Sequence, residues 1–397
     1  MRNVYIIGAK GIPARYGGFE TFVEKLTEYK KSSNIQYHVA SLRNNTETSQ
    51  EHDRFRHNDA DVFVIDVPEI GSAKAVMYDV KALRFAIKDA KANNYENPIF
   101  YVLTSRIGPF IAKLKKEIEN IGGILLLNPD GNEWKRQKWS LPVRKYWKMS
   151  ERSMIKRTDL VIADNPKIED YIHEEYQLSD MSTTYIPYGT DTTMSNLTQD
   201  DAQVQDWYSK FQIQQGQYFL IVGRFVPENN YEVMIREFLK SKTKKDLVII
   251  TNVAVNAFYN KLVKETGFDK DSRIKFVGTV YDQNLLKFIR KNAYAYLHGH
   301  EVGGTNPSLL EAMATTSVNL LIDVGFNRAV AKNAALYWTK RSGSLSNILD
   351  EVDNSSVHER AAMGVNAKQR IEEEFNWSKV VAQYEEIFLN YEQLQKK

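Results

Sequence analysis

The sequence predicts an α/β protein built from two doubly wound, Rossmann-like domains facing a central cleft. Three observations predict it. The 397 residues exceed one ordinary domain and suit two. Short β-branched and aromatic runs alternate with longer stretches of helical period, the pattern of a parallel sheet covered by helices. These runs fall into two sets, parted at Ile186-Pro-Tyr-Gly-Thr-Asp191, where Pro and Gly punctuate the chain before a polar stretch to about Asp206.

The first set is expected near Val4–Gly8, Tyr37–Ser41, Val62–Asp66, Ile99–Leu103, Gly123–Leu127, Leu160–Ala163 and Thr184–Pro187. The second lies near Tyr218–Val222, Leu247–Thr251, Ile274–Val277, Ala293–Leu297, Val318–Ile322 and Ala335–Trp338. The expected domains are therefore 1–190 and 191–375. An amphipathic helix in 376–397 is expected to join the first domain. In open sheets of this kind ligands sit outside the carboxyl ends of the strands, so the loops there hold the candidates.

Composition narrows the function. A hydrophobic content of 43% suffices for two cores, and 12% aromatic residues is inconsistent with disorder. A net charge of +3 excludes a nucleic-acid binder acting through bulk charge, and nucleic acid is not an expected partner. The absence of cysteine removes disulfides, thiolate chemistry and thiolate-bound metal. No apolar run approaches the roughly 18 residues of a membrane span. The first strand follows Met1-Arg-Asn directly, which leaves no room for a signal peptide, so a cytoplasmic location is expected.

In the first domain the opening strand ends in Gly8-Ala-Lys-Gly-Ile-Pro-Ala-Arg-Tyr-Gly-Gly-Phe-Glu20. Its glycines lack the GxGxxG spacing, which disfavours a nicotinamide-dependent oxidoreductase. Gly17 and Gly18 at a helix start still let a phosphate approach, with Glu20 in the first turn. Asp130-Gly131 follows a strand and is either a cleft-facing carboxylate or an Asx turn; Glu133 and Arg136 come next. Asp59-Ala-Asp61 formally matches a metal-binding DxD, a triplet expected by chance among 50 acidic residues. From Trp134 to Arg157 nine Lys or Arg and one acid, Glu151, are interleaved with Trp139, Tyr146 and Trp147. Such a helix either meets an anionic bilayer, at about 1 kcal/mol per close cation, or is a solvated basic face with its aromatics in the core.

In the second domain Leu220-Ile-Val-Gly-Arg224 is a strand ending in a glycine and an arginine, whose fork matches a phosphate. The most informative stretch runs from His298 to Ala314. A strand enters a loop of small residues and then a helix, with Asn306 as N-cap and Pro307 at the first helical position. Gly303 and Gly304 allow close backbone approach, and the amides near Thr305 and Asn306 form a seat for phosphate. Glu311, one turn in, can accept hydrogen bonds from a sugar diol. His298 and His300 flank the loop, but no third ligand accompanies them and no metal site is expected. Phosphate beside a diol-binding carboxylate suits a nucleotide-sugar.

Together these segments resemble the retaining nucleotide-sugar glycosyltransferases of GT-B architecture, the family-four type that includes sucrose synthases and mannosyltransferases. The matching parts are Gly17-Gly18-Phe19-Glu20, Ile186–Asp191, Gly223-Arg224 with Pro227-Glu228, and Pro307–Ala314. Gly11–Thr21, Asn128–Arg136 and Gly303–Ser308 resemble a narrower branch, the bacterial rhamnosyltransferases of cell-wall and capsular polysaccharide assembly, including β-1,4-rhamnosyltransferases. The resemblance implies metal-independent transfer of L-rhamnose from dTDP-rhamnose to GlcNAc or glucose on undecaprenyl diphosphate. No cofactor is implied beyond the nucleotide-sugar substrate, and UDP-glucose or UDP-galactose are the alternative donors. A non-catalytic sugar-nucleotide-binding relative is the alternative from another class. Donor binding falls to Gly17, Gly18, Arg224, His298, Gly303, Gly304, Thr305, Asn306 and Glu311, with Glu311 on the ribose. Catalysis falls to Arg224, Asp130 and Glu20, and the acceptor side to Glu133 and Arg136. Residues 134–157 would hold the enzyme at the inner face of the plasma membrane. Two positions depart from the wider family: Gly303 stands where it has a Glu for the donor sugar, and Asn229 where it has a diphosphate-binding Lys.

Overall fold

The computed structural model describes residues 1–15, 17–136, 138–176, 183–253 and 255–394. Tyr16 of the glycine loop, Gln137 of the basic stretch and 395–397 of the expected last helix lie outside the described residues. The chain divides into two units, Met1–Gly189 with Trp377–Lys397, and Thr190–Asn376.

The strands of the first unit are β1 (Arg2–Ile7), β2 (Ile35–Leu42), β3 (Arg54–His57), β4 (Ala60–Ile65), β5 (Ile99–Leu103), β6 (Ile124–Asn128), β7 (Leu160–Ala163) and β8 (Thr183–Tyr185). They form one sheet in the order β3-β4-β2-β1-β5-β6-β7-β8. All pairings are parallel except β3 with β4. β3 is absent from the expected set because its alternating Arg-Phe-Arg-His carries one apolar residue. Its charged side chains face solvent on a sheet edge, where they discourage further pairing. The β3–β4 turn, Asn58-Asp59, has both residues at positive φ, as a tight hairpin of matching twist requires. Of the Asp59–Asp61 triplet, Asp59 pairs with Lys30 and Arg56, and Asp61 with His38 and Arg54.

Central strands β1 and β5 read as unbroken apolar runs because helices cover both faces. On one face Tyr5, Ile7, Phe100 and Val102 pack against the helices Lys74–Ala92, Gly108–Glu119 and Leu141–Ile155. On the other, Tyr37 and Tyr101 meet Phe22 of the helix Gly18–Glu28 and Tyr384 and Phe388 of the helix Trp377–Leu394. That last helix is fastened by polar contacts as well. Glu392 takes Arg2 at 2.6 Å, and Glu385 accepts the amides of Lys31 and Ser32.

The second unit holds β9 (Tyr218–Val222), β10 (Asp246–Ile250), β11 (Ile274–Gly278), β12 (Ala295–His298), β13 (Asn319–Ile322) and β14 (Leu336–Trp338). Their order is β11-β10-β9-β12-β13-β14, all parallel. This is the doubly wound order that reverses direction between its first and fourth strands, here β9 and β12. One core, around Phe219, Leu297 and Trp338, lies under the helices Tyr231–Lys240 and Ser344–Asn354. The opposite face packs Leu220 and Tyr296 against the helices Ala202–Phe211 and Gln283–Lys291.

Candidate functional site

At the reversal between β9 and β12 two loops leave the carboxyl edge of neighbouring strands, one carrying Gly223-Arg224, the other 299–306. Asn229 joins them. Buried, it donates through Nδ2 to the Arg224 carbonyl (2.7 Å) and meets His300 Nδ1 through Oδ1 (2.8 Å). Asn230, in a left-handed conformation, donates to the Gly299 carbonyl at 2.7 Å. The residue standing at the family's lysine position is therefore a neutral rivet between two site loops. Arg224 itself is exposed, and its guanidinium has no hydrogen-bond or ion-pair partner among the described residues.

The helix Pro307–Thr315 begins as expected: Asn306 Oδ1 accepts the Ser308 amide at 2.9 Å. Gly303 has φ +140°, and a side chain there would crowd His300 Nε2. The loop thus adopts a conformation that disfavours a glutamate at this position. Glu301, the nearest acid, is held by Lys340 Nζ at 2.6 Å. Glu311 is 40% exposed, and its Oε2 lies 2.6 Å from Nη2 of Arg290, which is 3% exposed. Arg290 lies outside every motif, on a helix whose sequence pattern says only that one face is buried. His298 is buried, and desolvation pushes its ring pKa down to about 3, so the imidazole is neutral. Its Nδ1 is 3.4 Å from Tyr296 Oη, and its Nε2 is buried with no hydrogen-bond partner among the described residues.

In the first unit the sheet reverses between β1 and β5. Gly17 is the N-cap of the helix Gly18–Glu28, and its missing side chain makes room for the Glu20 carboxylate to fold back. That carboxylate is buried and accepts the Lys10 amide at 2.8 Å, so it ties down the glycine loop. After β6, Asn128 Oδ1 accepts the Asp130 amide (2.9 Å), while Asp130 Oδ1 accepts the amide of Gly131 (2.7 Å). The Asx turn here is the one Asn128 forms with the Asp130 amide, and both Asp130 and Asn132 have positive φ. Glu133 is paired with Arg136 and with Lys138 (2.9 Å) and accepts the Trp139 indole N–H (2.9 Å). Burial raises its carboxyl, but Arg136, Lys138 and Trp139 together hold it below the usual range.

Sequence reasoning missed a group at this reversal. Thr104, just past β5, has φ +87°, a costly conformation for a β-branched residue. Its Oγ1 accepts Arg106 Nε at 2.6 Å, and the same nitrogen is 3.2 Å from Oδ2 of fully buried Asp79. No spacing in the sequence signals this pair, since Asp79 comes from the distant helix Lys74–Ala92.

Residues 1–191 match a domain of unknown function (DUF1972), and residues 205–370 match the glycosyl transferases group 1. The group 1 match lies within the second unit. An uncharacterized glycosyltransferase of Methanocaldococcus jannaschii, MJ1069, is 24% identical across 98% of this chain and 99% of its own length. Among solved structures, sucrose-phosphate synthase from Thermosynechococcus elongatus is similar at TM-score 0.78, with 17% identity over 99% of both chains. A glycosyltransferase from Rickettsia africae gives TM-score 0.74 at 13% identity, covering 98% of this chain and 97% of that one. Anabaena HepE, solved in complex with UDP, gives 0.72 at 13%, covering 98% and 100%. These structural likenesses speak to the fold: two parallel-sheet, Rossmann-like domains of GT-B type.

The basic stretch of the first unit differs from an all-exposed amphipathic face. Trp134 donates to Tyr171 Oη (3.0 Å) and lies under Lys135 and Lys148, while Trp139 is held by Glu133. Tyr146 donates to the Arg106 carbonyl at 2.7 Å. Trp134, Trp139 and Tyr146 are thus engaged within the fold. What faces solvent is Leu141 (70% exposed) and Met149 (56%), with Lys145, Arg152, Lys156 and Arg157. Phe110, Lys113 and Lys116 of the packed neighbouring helix are exposed too. No helix is long and apolar enough to cross a membrane among the described residues. Nor do any three His, Asp or Glu side chains there cluster so as to hold a metal.

Proposed function

We propose that the chain is a glycosyltransferase that moves L-rhamnose from dTDP-rhamnose, with retention and without a metal, to GlcNAc or glucose carried on undecaprenyl diphosphate. The observation that carries the nucleotide-sugar part is the reversal point of the second unit. Arg224, unpaired among the described residues, stands on one loop, and the capped helix start with Gly304, Thr305 and Asn306 closes the next. An arginine and oriented amides stabilise the charge that grows on a departing diphosphate, and being fixed beforehand they need no reorganisation. Glu311 takes the ribose, and the buried His298 supports the loop as a neutral ring. UDP in the HepE complex supports a nucleoside diphosphate as the leaving group.

Rhamnose and the lipid-linked acceptor rest on the resemblance of Gly11–Thr21, Asn128–Arg136 and Gly303–Ser308. In this reading 1–190 is the acceptor-side domain and 191–375 the donor domain. The acceptor hydroxyl attacks the face the diphosphate leaves, and a phosphate oxygen receives its proton, so no covalent carboxylate is required. Glu20 and Asp130 then act by shaping the loops that receive the acceptor, as their backbone hydrogen bonds suggest, with Glu133 and Arg136 beside them. The exposed cations and apolar side chains of the helix Leu141–Ile155 hold the enzyme on the anionic inner leaflet.

The test is a donor panel in EDTA: dTDP-rhamnose, UDP-glucose, UDP-galactose and GDP-mannose with a synthetic lipid-diphosphate-sugar, the product linkage read by NMR. Transfer from dTDP-rhamnose that keeps the donor's anomeric configuration is expected. Transfer from another donor but not from dTDP-rhamnose overturns the donor. An inverted linkage removes the retaining mechanism, and loss of transfer in EDTA removes metal independence.

A further inference from the structure

The first unit also joins two loops at its reversal, and the joint leaves one guanidinium edge open. Tyr78 and Asp79 are adjacent on the helix Lys74–Ala92. Tyr78 Oη donates to the Ala9 carbonyl, on the loop after β1, at 2.9 Å, and Asp79 Oδ2 lies 3.2 Å from Arg106 Nε, on the loop after β5. Asp79 is fully buried, and neither of its oxygens makes a hydrogen bond among the described residues. A buried carboxylate left this bare contributes little to stability. What it does fix is the place of the Arg106 side chain. The rest of that segment is pinned as well. Thr104 Oγ1 accepts Arg106 Nε at 2.6 Å from a backbone of φ +87°, and Tyr146 Oη donates to the Arg106 carbonyl at 2.7 Å. Ser150 Oγ donates to the Ser105 carbonyl at 2.6 Å and accepts the Gly108 amide at 2.7 Å. Only Nη1 and Nη2 of Arg106 have no hydrogen-bond or ion-pair partner among the described residues, and the side chain keeps 18% of its surface exposed.

Backbone strain like that of Thr104 persists where the surroundings over-determine it, and a sheet reversal is where ligands sit. The edge left open on Arg106 is one that meets two oxygens of a phosphate in parallel. With Nε taken up by Thr104 and Asp79, the other edge of the fork stays turned inward. We propose that Arg106 is an anion-binding residue of the first unit, its Nη1–Nη2 edge receiving a phosphate of the acceptor, with Thr104 and Asp79 as positioning residues. The segment's support points to a phosphate carried on lipid. Tyr146 and Ser150 belong to the helix Leu141–Ile155, which exposes Leu141, Lys145, Met149 and Arg152. One helix therefore pins the Arg106 segment and offers cations and apolar groups to a bilayer. The proposal rests on the reading above that 1–190 is the acceptor side, and it adds the residue that holds the diphosphate there.

Calorimetry on the full chain tests it with three probes: geranyl-diphosphate-linked GlcNAc, the uncharged geranyl glycoside of GlcNAc, and UDP. Wild type is expected to bind the diphosphate about tenfold or more tighter than the glycoside, the scale of a bidentate charge-assisted contact. Arg106→Met should remove that difference and leave UDP binding unchanged. The methionine strands Asp79, so the double variant, Arg106→Met with Asp79→Asn, leaves no lone buried charge and should give the same result if the single one does not fold. Arg106→Lys keeps the charge without the flat edge and should recover only part of the difference. Thr104→Val should weaken the diphosphate about threefold and Thr104→Ser not at all, since only the hydroxyl oxygen holds Nε. Equal binding of diphosphate and glycoside by wild type, no binding of the diphosphate, or an unchanged difference in the Arg106 variants overturns the proposal. If Arg106→Met instead weakens UDP and spares the geranyl diphosphate, the anion site stands and the acceptor-side reading of 1–190 is what fails.

Discussion

The two sheets each reverse their strand order once, but they use polar groups at that point in opposite ways. In the second unit most of the locks are neutral amides, Asn229 to Arg224 and His300, Asn230 to Gly299, Asn306 to Ser308, with Glu301 on Lys340 the charged exception. In the first, carboxylates do the locking: Glu20 on the Lys10 amide, Asp130 on that of Gly131, Glu133 on Arg136. A loop locked by amides keeps its charges for a ligand, whereas one locked by charges has already neutralised them. The electrostatic part of catalysis should therefore reside in the second unit. Arg224→Ala is expected to lower kcat/KM about a hundredfold, or about 2.7 kcal/mol of transition-state stabilisation, with the fold intact. Glu133→Gln should cost less than tenfold. Steady-state kinetics on the pair decides it, and a larger loss for Glu133→Gln breaks the contrast.

Buried titratable groups sharpen the same comparison through pH. Burial pushes the Asp79 carboxyl up to about 6 against the pull of Arg106. Between about pH 4 and 6 the folded chain keeps a proton that an unfolded aspartate, near 3.9, has released. This group's contribution is complete below about pH 4 and is lost as pH rises through 6. His298, pushed down to about 3, behaves oppositely. An unfolded imidazole, near 6.5, binds a proton that the folded ring refuses, so its contribution is complete above about pH 6.5 and lost as pH falls toward 3. By these shifts Asp79 is worth about 3 kcal/mol and His298 about 5 kcal/mol. Urea unfolding across pH 4–7 should show Asp79→Asn removing a falling component and His298→Asn a rising one. Shifts of the same sign in the two variants contradict the assignment.

The fold was legible because it is written in periodicity. Thirteen of the strands read from the chain recur within a residue or two, and β3 escaped because its one apolar residue, Phe55, gives no run to see. The local parts of the site were legible for a related reason. Asn306, Pro307, the glycines and Glu311 lie within one strand–loop–helix unit, where spacing fixes geometry. Arg290 and the Asp79–Arg106 pair were not, because their partners meet through packing of distant segments, 21 and 27 residues apart. Nor does spacing reveal that Asn229 bridges two loops, or that Gly303 sits at a positive φ.

That last point gives a smaller effect on the second unit alone. At Gly303, φ +140° lies outside what a side chain accepts comfortably. Gly303→Ala should cost about 1–2 kcal/mol in thermal unfolding. Gly303→Glu, which restores the family's residue, should cost at least as much and leave donor affinity no better. An improved affinity in Gly303→Glu would show that the loop here can take up the family's arrangement, and that the amide-locked geometry is not what sets the site.

The smallest effect belongs to the first unit's surface, where charge is not internally paired. Arg136, Lys138 and Lys148 face acids, but Lys145 and Arg152 are exposed beside Leu141 and Met149 on the helix Leu141–Ile155. At about 1 kcal/mol per close cation, Lys145→Ala and Arg152→Ala should each weaken partition onto vesicles containing phosphatidylglycerol about fivefold. Lys138→Ala, which removes a cation already neutralised by Glu133, should weaken it far less. Co-sedimentation at two salt concentrations separates the cases, since the contribution of an exposed cation fades with screening. Equal losses at Lys138 and Lys145 would mean that pairing within the fold does not decide which cations remain for a partner, and the contrast between the two units would lose its physical basis.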